Sequence, residues 1–256
     1  MEKENFVTDG DYNLDLYKNS LDILDNSMIL FKNALDNKLK FNCFILMFDL
    51  YVDTFIKYLI KFKYSNLLFE DSNVNKIISK EKALNIFINE YYISDRKLIS
   101  CILYVYKYEN LLKYYDFEFN FLLINKIIAV IINGFNHLNL KFLNKDLFKD
   151  CKENTINMIN CINDYYENKL KGIQSTTLSE AYEYKVSTIN CEICFEENTV
   201  IQIPDNLCFF CEELKSYKCK VCNEIFTNDE IIELSNGKYI CIDCNKISQY
   251  EEYNKI

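Results

Sequence analysis

CEICFEENTVIQIPDNLCFFCEELKSYKCKVCNEIFTNDEIIELSNGKYICIDC, residues 191–244, decides how the rest of this 256-residue chain is read. It holds four Cys-x-x-Cys pairs, at Cys191/Cys194, Cys208/Cys211, Cys219/Cys222 and Cys241/Cys244. Two cysteines separated by two residues reach one ion from a single backbone turn, and a zinc ion takes four such ligands in a tetrahedron. Eight cysteines complete two all-cysteine sites with no ligand left over, which predicts two Zn2+ per chain. Disulfides need an oxidising compartment, whereas the chain opens Met1-Glu2-Lys3-Glu4-Asn5 with no apolar signal-peptide core. The expectation is an intracellular protein, cytoplasmic or nuclear, whose thiols stay reduced. Rubredoxin-like iron knuckles favour glycine just after the second cysteine, and here those places hold Phe195, Glu212, Asn223 and Asn245. Of these, only the asparagines tolerate a left-handed turn readily.

The stretch repeats itself. Its first half runs from the knuckle Cys191–Cys194 through a short alternating strand at Val200–Ile203 and a turn at Pro204–Asn206 to the knuckle Cys208–Cys211. Its second half runs from Cys219–Cys222 through Ile231–Leu234 and a turn at Ser235–Gly237 to Cys241–Cys244. Asn236-Gly237 is the strongest hairpin signal in the chain. This repetition favours two successive zinc ribbons, each closing its own site.

A second arrangement stays open on the sequence. Cys191-Glu192-Ile193-Cys194-Phe195-Glu196-Glu197 resembles the first knuckle of RING fingers, and four spaced pairs resemble the cross-braced, treble-clef RING, PHD and FYVE families. In those families pairs one and three share one metal and pairs two and four the other. The chain departs from them in the seven-residue gap between Cys211 and Cys219 and in having no histidine at a ligand position. The RING resemblance implies that Ile193 helps contact a ubiquitin-conjugating enzyme. The usual proline beside the last pair is missing, which weakens the ligase expectation. The layout as a whole, a helical body with a C-terminal multi-cysteine finger, resembles the baculovirus major early protein family with a C-terminal zinc finger and implies an early-acting viral regulatory protein.

Half of all residues in the chain are apolar, so a sizeable core can be buried upstream of the finger. Four glycines, one proline and no tryptophan, with abundant Asn, Ile, Lys, Tyr and Phe, are the residue set of AT-rich codons. Leu14, Tyr17, Leu21, Leu24, Met28 and Leu35 recur at helical steps and predict a helix over 13–37, after a polar start at 1–12. Leu39 to Lys63 is more apolar, but Asn42, Asp49, Asp53 and Lys57 make one polar stripe along it, which argues against lipid. The stripe is read as solvated rather than as paired catalytic carboxylates. Asp71-Ser72-Asn73 marks a connection. Helices follow from Lys80 to Tyr92 and, capped by Ser94 or Asp95, to Tyr115. Tyr104, Tyr106, Tyr108, Tyr114 and Tyr115 are read as packing aromatics, not as a stacking platform for bases.

Phe119 to Asn136 is apolar enough to raise a membrane span, but its twelve-residue run carries Lys126, which predicts a core helix ended by Gly134. No membrane span is expected, and His137 is left as a surface or core residue. Asn144 is expected to cap a last helix over 145–171, closed by Gly172. Cys43, Cys101, Cys151 and Cys161 are expected as small buried residues. The fold class is therefore mainly α: a helical domain at 1–172, a linker at 173–190 with a capping box at Thr177-Leu178-Ser179-Glu180, and a β-rich double zinc-finger module at 191–256.

Charge separates the possible functions. From Cys191 onward six lysines face thirteen acids, a balance of −7, which leaves −2 of the total −9 for the first 190 residues. Each Zn2+ held by four thiolates adds a further −2. That is the reverse of the basic footprint that grips phosphates, with only Lys215, Lys218 and Lys220 as a small basic strip. The leading expectation is a regulatory or adaptor protein docking a protein partner through Ile193, Phe195, Phe209 and Phe210, with no catalytic residue. A RING-like ubiquitin ligase and a zinc-ribbon transcription factor are the alternatives.

Overall fold

The computed structural model describes residues 9–34, 38–69, 77–112, 120–203, 207–214, 216–222, 225–227, 231–234, 238–242 and 244–245. The expectations for the polar start at 1–8, the end of the first helix at 35–37, the connection at 71–73, Tyr114 and Tyr115, and the Pro204–Asn206 and Asn236–Gly237 turns lie outside these residues, whereas 9–12, expected as part of the polar start, already belong to the first helix. The helices are α1 (Asp9–Ala34), α2 (Lys38–Lys63), α3 (Lys80–Glu90), α4 (Arg96–Leu112), α5 (Phe121–Leu143), α6 (Leu147–Asp150), α7 (Glu153–Tyr184) and α8 (Phe209–Leu214). Short strands follow α7: β1 (Thr188–Ile189), β2 (Val200–Ile201), β3 (Ser216–Lys218), β4 (Ile225–Thr227), β5 (Ile231–Glu233) and β6 (Tyr239–Cys241). The fold is mainly α with a small β-rich C-terminal module, as the sequence predicts. Two compact units divide it, Met1–Phe119 with Ile124–Tyr165, and Asn120–Leu123 with Tyr166–Ile256.

The first unit is built around α2. Its aromatic residues recur at steps of three and four and form a buried ladder, Phe44 to Phe48 at 5.6 Å, Phe48 to Tyr51 at 5.7 Å and Tyr51 to Phe55 at 5.8 Å between centroids. Phe55 stacks on Phe135 of α5 at 4.7 Å. α1 lies along α2 and buries Tyr17, Leu24, Met28 and Phe31. Buried serines interrupt its apolar face without cost, because Ser20 and Ser27 donate to the carbonyls of Tyr17 and Leu24, 2.7 and 2.8 Å away.

Several expectations need correction here. The Asn42/Asp49/Asp53/Lys57 stripe is not a solvated face: Asp49 is 7 % exposed and takes Lys80 of α3 on both carboxylate oxygens at 2.8 Å. Lys80 also sits 4.4 Å over the Tyr106 ring of α4. A charged partner arriving from another helix is invisible to periodicity along one helix. Asp53 pairs with Lys57 at 2.8 Å. The two carboxylates set aside above as catalytic candidates thus sit in separate ion pairs.

Gly134 does not end α5, which continues to Leu143. A Cβ at Gly134 would lie 2.9 Å from Leu98 Cδ1, so the residue is glycine to let α4 approach. Among the described residues α5 alone is long and apolar enough to cross a membrane, and 67 % of that stretch is buried within the protein. Lys126 is 5 % exposed in it. His137, beyond Gly134, is exposed.

The last helix is not one piece from residue 145. Asn144 has φ 53°, Asp146 caps the four-residue α6 through its carboxylate and Phe148 N–H at 3.2 Å, and α7 starts only at Glu153. The linker expected at 173–190 is helical as far as Tyr184. α7 runs through Gly172 because Thr176 and Thr177 turn their hydroxyls back to the carbonyls of Gly172 and Ile173, at 3.2 and 2.8 Å. Thr177 is therefore mid-helix rather than an N-cap.

The lone cysteines divide. Cys101 and Cys151 are buried as expected, whereas Cys43 and Cys161 are exposed on the outer faces of their helices.

Candidate metal centre

Strand, knuckle and strand alternate in the C-terminal unit. β1 pairs antiparallel with β2, Thr188 opposite Ile201, so the first knuckle lies in the loop of a hairpin. β3 pairs antiparallel with β4, Ser216 opposite Thr227, and the third knuckle lies in the loop of a second hairpin. The repeat thus begins one strand earlier than its cysteines suggest. It also explains the unequal spacings of thirteen and eighteen residues. In the first half β2 serves two neighbours, pairing with β1 and bridging from Val200 to Cys208. In the second half that task falls to a separate hairpin, β5 with β6, Ile232 opposite Ile240.

The eight sulfurs gather in two groups, Cys191/Cys194/Cys208/Cys211 and Cys219/Cys222/Cys241/Cys244, with all ligand atoms of a group within 4.8 Å of one another. The grouping is sequential. Cys191 and Cys211 sulfurs are 3.7 Å apart, Cys194 and Cys208 3.8 Å, Cys222 and Cys241 4.0 Å. A tetrahedron whose corners lie about 2.3 Å from its centre has edges of about 3.8 Å, so the spacing fits a tetrathiolate zinc site. All eight cysteines are free thiols.

Local backbone prepares these sulfurs for a cation. Ile193 and Cys194 N–H groups donate to Cys191 Sγ at 3.3 and 3.4 Å, and Cys211 N–H to Cys208 Sγ at 3.4 Å. The second site repeats the device, with Val221 and Cys241 N–H donating to Cys219 Sγ at 3.4 and 3.3 Å and Cys244 N–H to Cys241 Sγ at 3.4 Å. The hydroxyl of the fully buried Thr199 lies 3.5 Å from Cys208 Sγ. Hydrogen bonds from Cys194 bring the Cys191 thiol down to about 7. Those from Cys191, Cys194 and Cys211 push Cys208 down, while those with Cys191, Cys194 and Cys208 push Cys211 up. Burial raises the Cys219 thiol, but the N–H groups of Cys241, Cys222 and Val221 outweigh it and leave it at about 6. The Cys241 sulfur raises Cys244 to about 12. The N–H donors thus favour the thiolate form in each quartet.

The first knuckle departs from expectation at Phe195. Its φ of 59° is left-handed, the conformation the sequence assigned to asparagine or glycine. The turn closes around it: Phe195 N–H donates to Cys191 O at 3.1 Å and Cys191 N–H to Glu196 O at 2.9 Å. Two such bonds hold a backbone that the side chain disfavours. Of the apolar residues expected to face a partner, Ile193, Phe195 and Phe209 are half-buried. Phe210 is not available, since it is fully buried as the second residue of α8. It belongs to the packing under the site. Lys220 of the basic strip is exposed, while Lys215 lies outside the described residues.

Sequence reading missed the residues that support the first site. Tyr166 of α7, 6 % exposed, donates its hydroxyl to the Glu196 carboxylate, 2.8 and 2.9 Å from the two oxygens, and Glu196 is fully buried. Gln174, two turns on, donates to Glu197 O at 2.8 Å. Tyr166 could be placed on the buried face of α7 from its spacing to Ile159 and Ile162, but its partner thirty residues away has no local signal. A shallow groove of about 430 Å3 lies between Lys169, Gly172, Ile173 and Thr176 of α7 and Phe209 and Glu212 of α8.

Around the second site a small cluster of Cys219, Ile240 and Cys241 is buried, with Ile231, Leu234 and Cys244 packed against it. The Tyr217 and Tyr239 rings pack, tilted, with centroids 4.3 Å apart between β3 and β6. Comparison with protein-family models, with characterised proteins and with solved structures returns no match. The resemblances to RING-type fingers and to the viral early protein family therefore rest on cysteine layout alone.

Proposed function

We propose that the chain is an intracellular zinc-binding regulatory or adaptor protein, in which two structural Zn2+ ions hold an acidic C-terminal module that docks a protein partner. The observation that carries this reading is that each quartet is closed. Four thiols fill the tetrahedron, and a catalytic zinc would keep one position open for water. A closed site supplies folding energy and shape, so the module presents a surface. That surface is acidic in sequence, which favours a protein over a nucleic acid. Ile193, Phe195 and Phe209 lie beside the first site and keep part of their surface exposed. The regulatory role is the one implied by the layout it shares with the viral early protein family.

Sequential grouping counts against the RING-like ligase, whose metals bridge alternate pairs. The transcription-factor reading is opposed by charge. Elemental analysis of the full chain, purified under reducing conditions, is expected to give two zincs per chain; one or none refutes the reading. Polar substitution of Ile193 and Phe209 is expected to leave both zincs bound and to abolish partner capture. Tight binding of duplex or single-stranded nucleic acid at physiological salt would overturn the docking role, and ubiquitin discharge lost in Ile193→Ala would install the ligase.

A further inference from the structure

The two quartets share ligand set and N–H···S bonding but differ in burial and in what ties them down. In the first, all four cysteines are buried, at 5, 7, 8 and 7 % exposure for Cys191, Cys194, Cys208 and Cys211. Its knuckle is tied to α7 by Tyr166 on Glu196 and by Gln174 on the Glu197 carbonyl. In the second, Cys219 and Cys241 are buried but Cys222 is exposed and Cys244 is half-buried. Among the described residues, the cluster buried around it is Cys219, Ile240 and Cys241, with Ile231, Leu234 and Cys244 packed against them.

We propose that the second site is an oxidant-sensitive metal switch, while the first is a permanent structural site. This rests on both quartets holding zinc. The attacking group in thiol oxidation is the thiolate, and its rate follows access to the sulfur. Cys222 is where a peroxide meets the site. The exposed thiolate attacks one peroxide oxygen, the O–O bond breaks, and hydroxide leaves, giving a sulfenic acid. A second thiolate of the quartet, Cys241 at 4.0 Å, then attacks that sulfur and releases a second hydroxide as the disulfide forms. Two electrons pass from the two sulfurs to the peroxide, two protons from solvent convert the hydroxides to water, and Zn2+ departs because two of its four ligands no longer carry charge. A dithiol reductant reverses the change. The first site lacks an entry sulfur, and its knuckle cannot open without breaking the bonds to α7.

The test uses the full chain, first shown to contain two zincs, so that failure of the zinc reading is seen before the switch is tried. Hydrogen peroxide is added in small steps while released zinc is followed with a chromophoric chelator, and modified cysteines are mapped by mass spectrometry. One of the two zincs is expected to leave first, with oxidation confined to Cys219, Cys222, Cys241 and Cys244, and to return after reduction with dithiothreitol and added zinc. Simultaneous release of both metals, or first modification at Cys191, Cys194, Cys208 or Cys211, overturns the proposal. Tyr166→Phe, which removes the hydroxyl and keeps the ring, is expected to hasten release from the first site and leave the second unchanged. Equal effects on both sites would also overturn it.

Discussion

Phe195 offers a test in which the usual ranking of two substitutions should reverse. At an ordinary helical or extended position, replacing a residue by glycine costs roughly 0.5–1 kcal/mol more than replacing it by alanine, because glycine loses more backbone freedom on folding. At φ 59° any residue with a Cβ carries a penalty of roughly 1–2 kcal/mol that glycine escapes. Both variants lose the half-buried ring, which contributes about 1 kcal/mol, half of what full burial of such a side chain provides. Phe195→Ala keeps the strain and loses the ring, so it should weaken zinc retention by the first site about fivefold. Phe195→Gly loses the ring and sheds the strain, and it should hold zinc about two- to fivefold more tightly than the alanine variant. Chelator competition on the full chain reads this directly, with the second site as internal reference. Alanine equalling or exceeding glycine would show that the left-handed turn carries no strain and would refute the argument.

A fragment spanning Lys215 to Ile256 contains all four cysteines of the second quartet and its two hairpins, and it should bind one zinc tetrahedrally by itself, as visible in the charge-transfer spectrum of the cobalt form. Failure to take up metal would contradict the sequential grouping. Gly134 and Gly172 should respond differently to alanine. At Gly172 nothing lies within 4 Å of an added Cβ, so the helical preference of alanine should raise stability by about 0.5–1 kcal/mol, whereas at Gly134 the clash with Leu98 should cancel that gain or exceed it by about 1 kcal/mol in a urea titration.

Much of this was legible because the chemistry is local. Cys-x-x-Cys states its own geometry, since the pair and its N–H···S bonds lie within one turn, and repetition of the pair order predicted the sequential grouping. The strands before the knuckles were not legible, because two residues such as Thr188 and Ile189 carry no period. Glycine was misread twice for one reason: Gly134 and Gly172 look like helix ends, but the sequence does not say whether a glycine serves a turn, a close approach or neither. Thr176 and Thr177 misled similarly, since hydroxyls that compete with helix in isolation can be satisfied within it. Two further misses, Asp49 with Lys80 and Tyr166 with Glu196, involve partners more than two dozen residues away, where one-dimensional patterns have nothing to report.

The bond between Tyr166 and Glu196 also fixes where the chain can be cut. Trimming at Gly172, or at the first cysteine, yields a fragment with all eight sulfurs but deprives a fully buried carboxylate of its phenol and, in the shorter version, removes the Gln174 amide as well. Such a piece would take up zinc poorly at its first quartet and be scored, wrongly, as a one-metal domain. Scission upstream of Tyr166, between α6 and the second turn of α7, preserves the hydroxyl, the amide and the left-handed knuckle together, so an autonomous finger begins some thirty residues before its first cysteine.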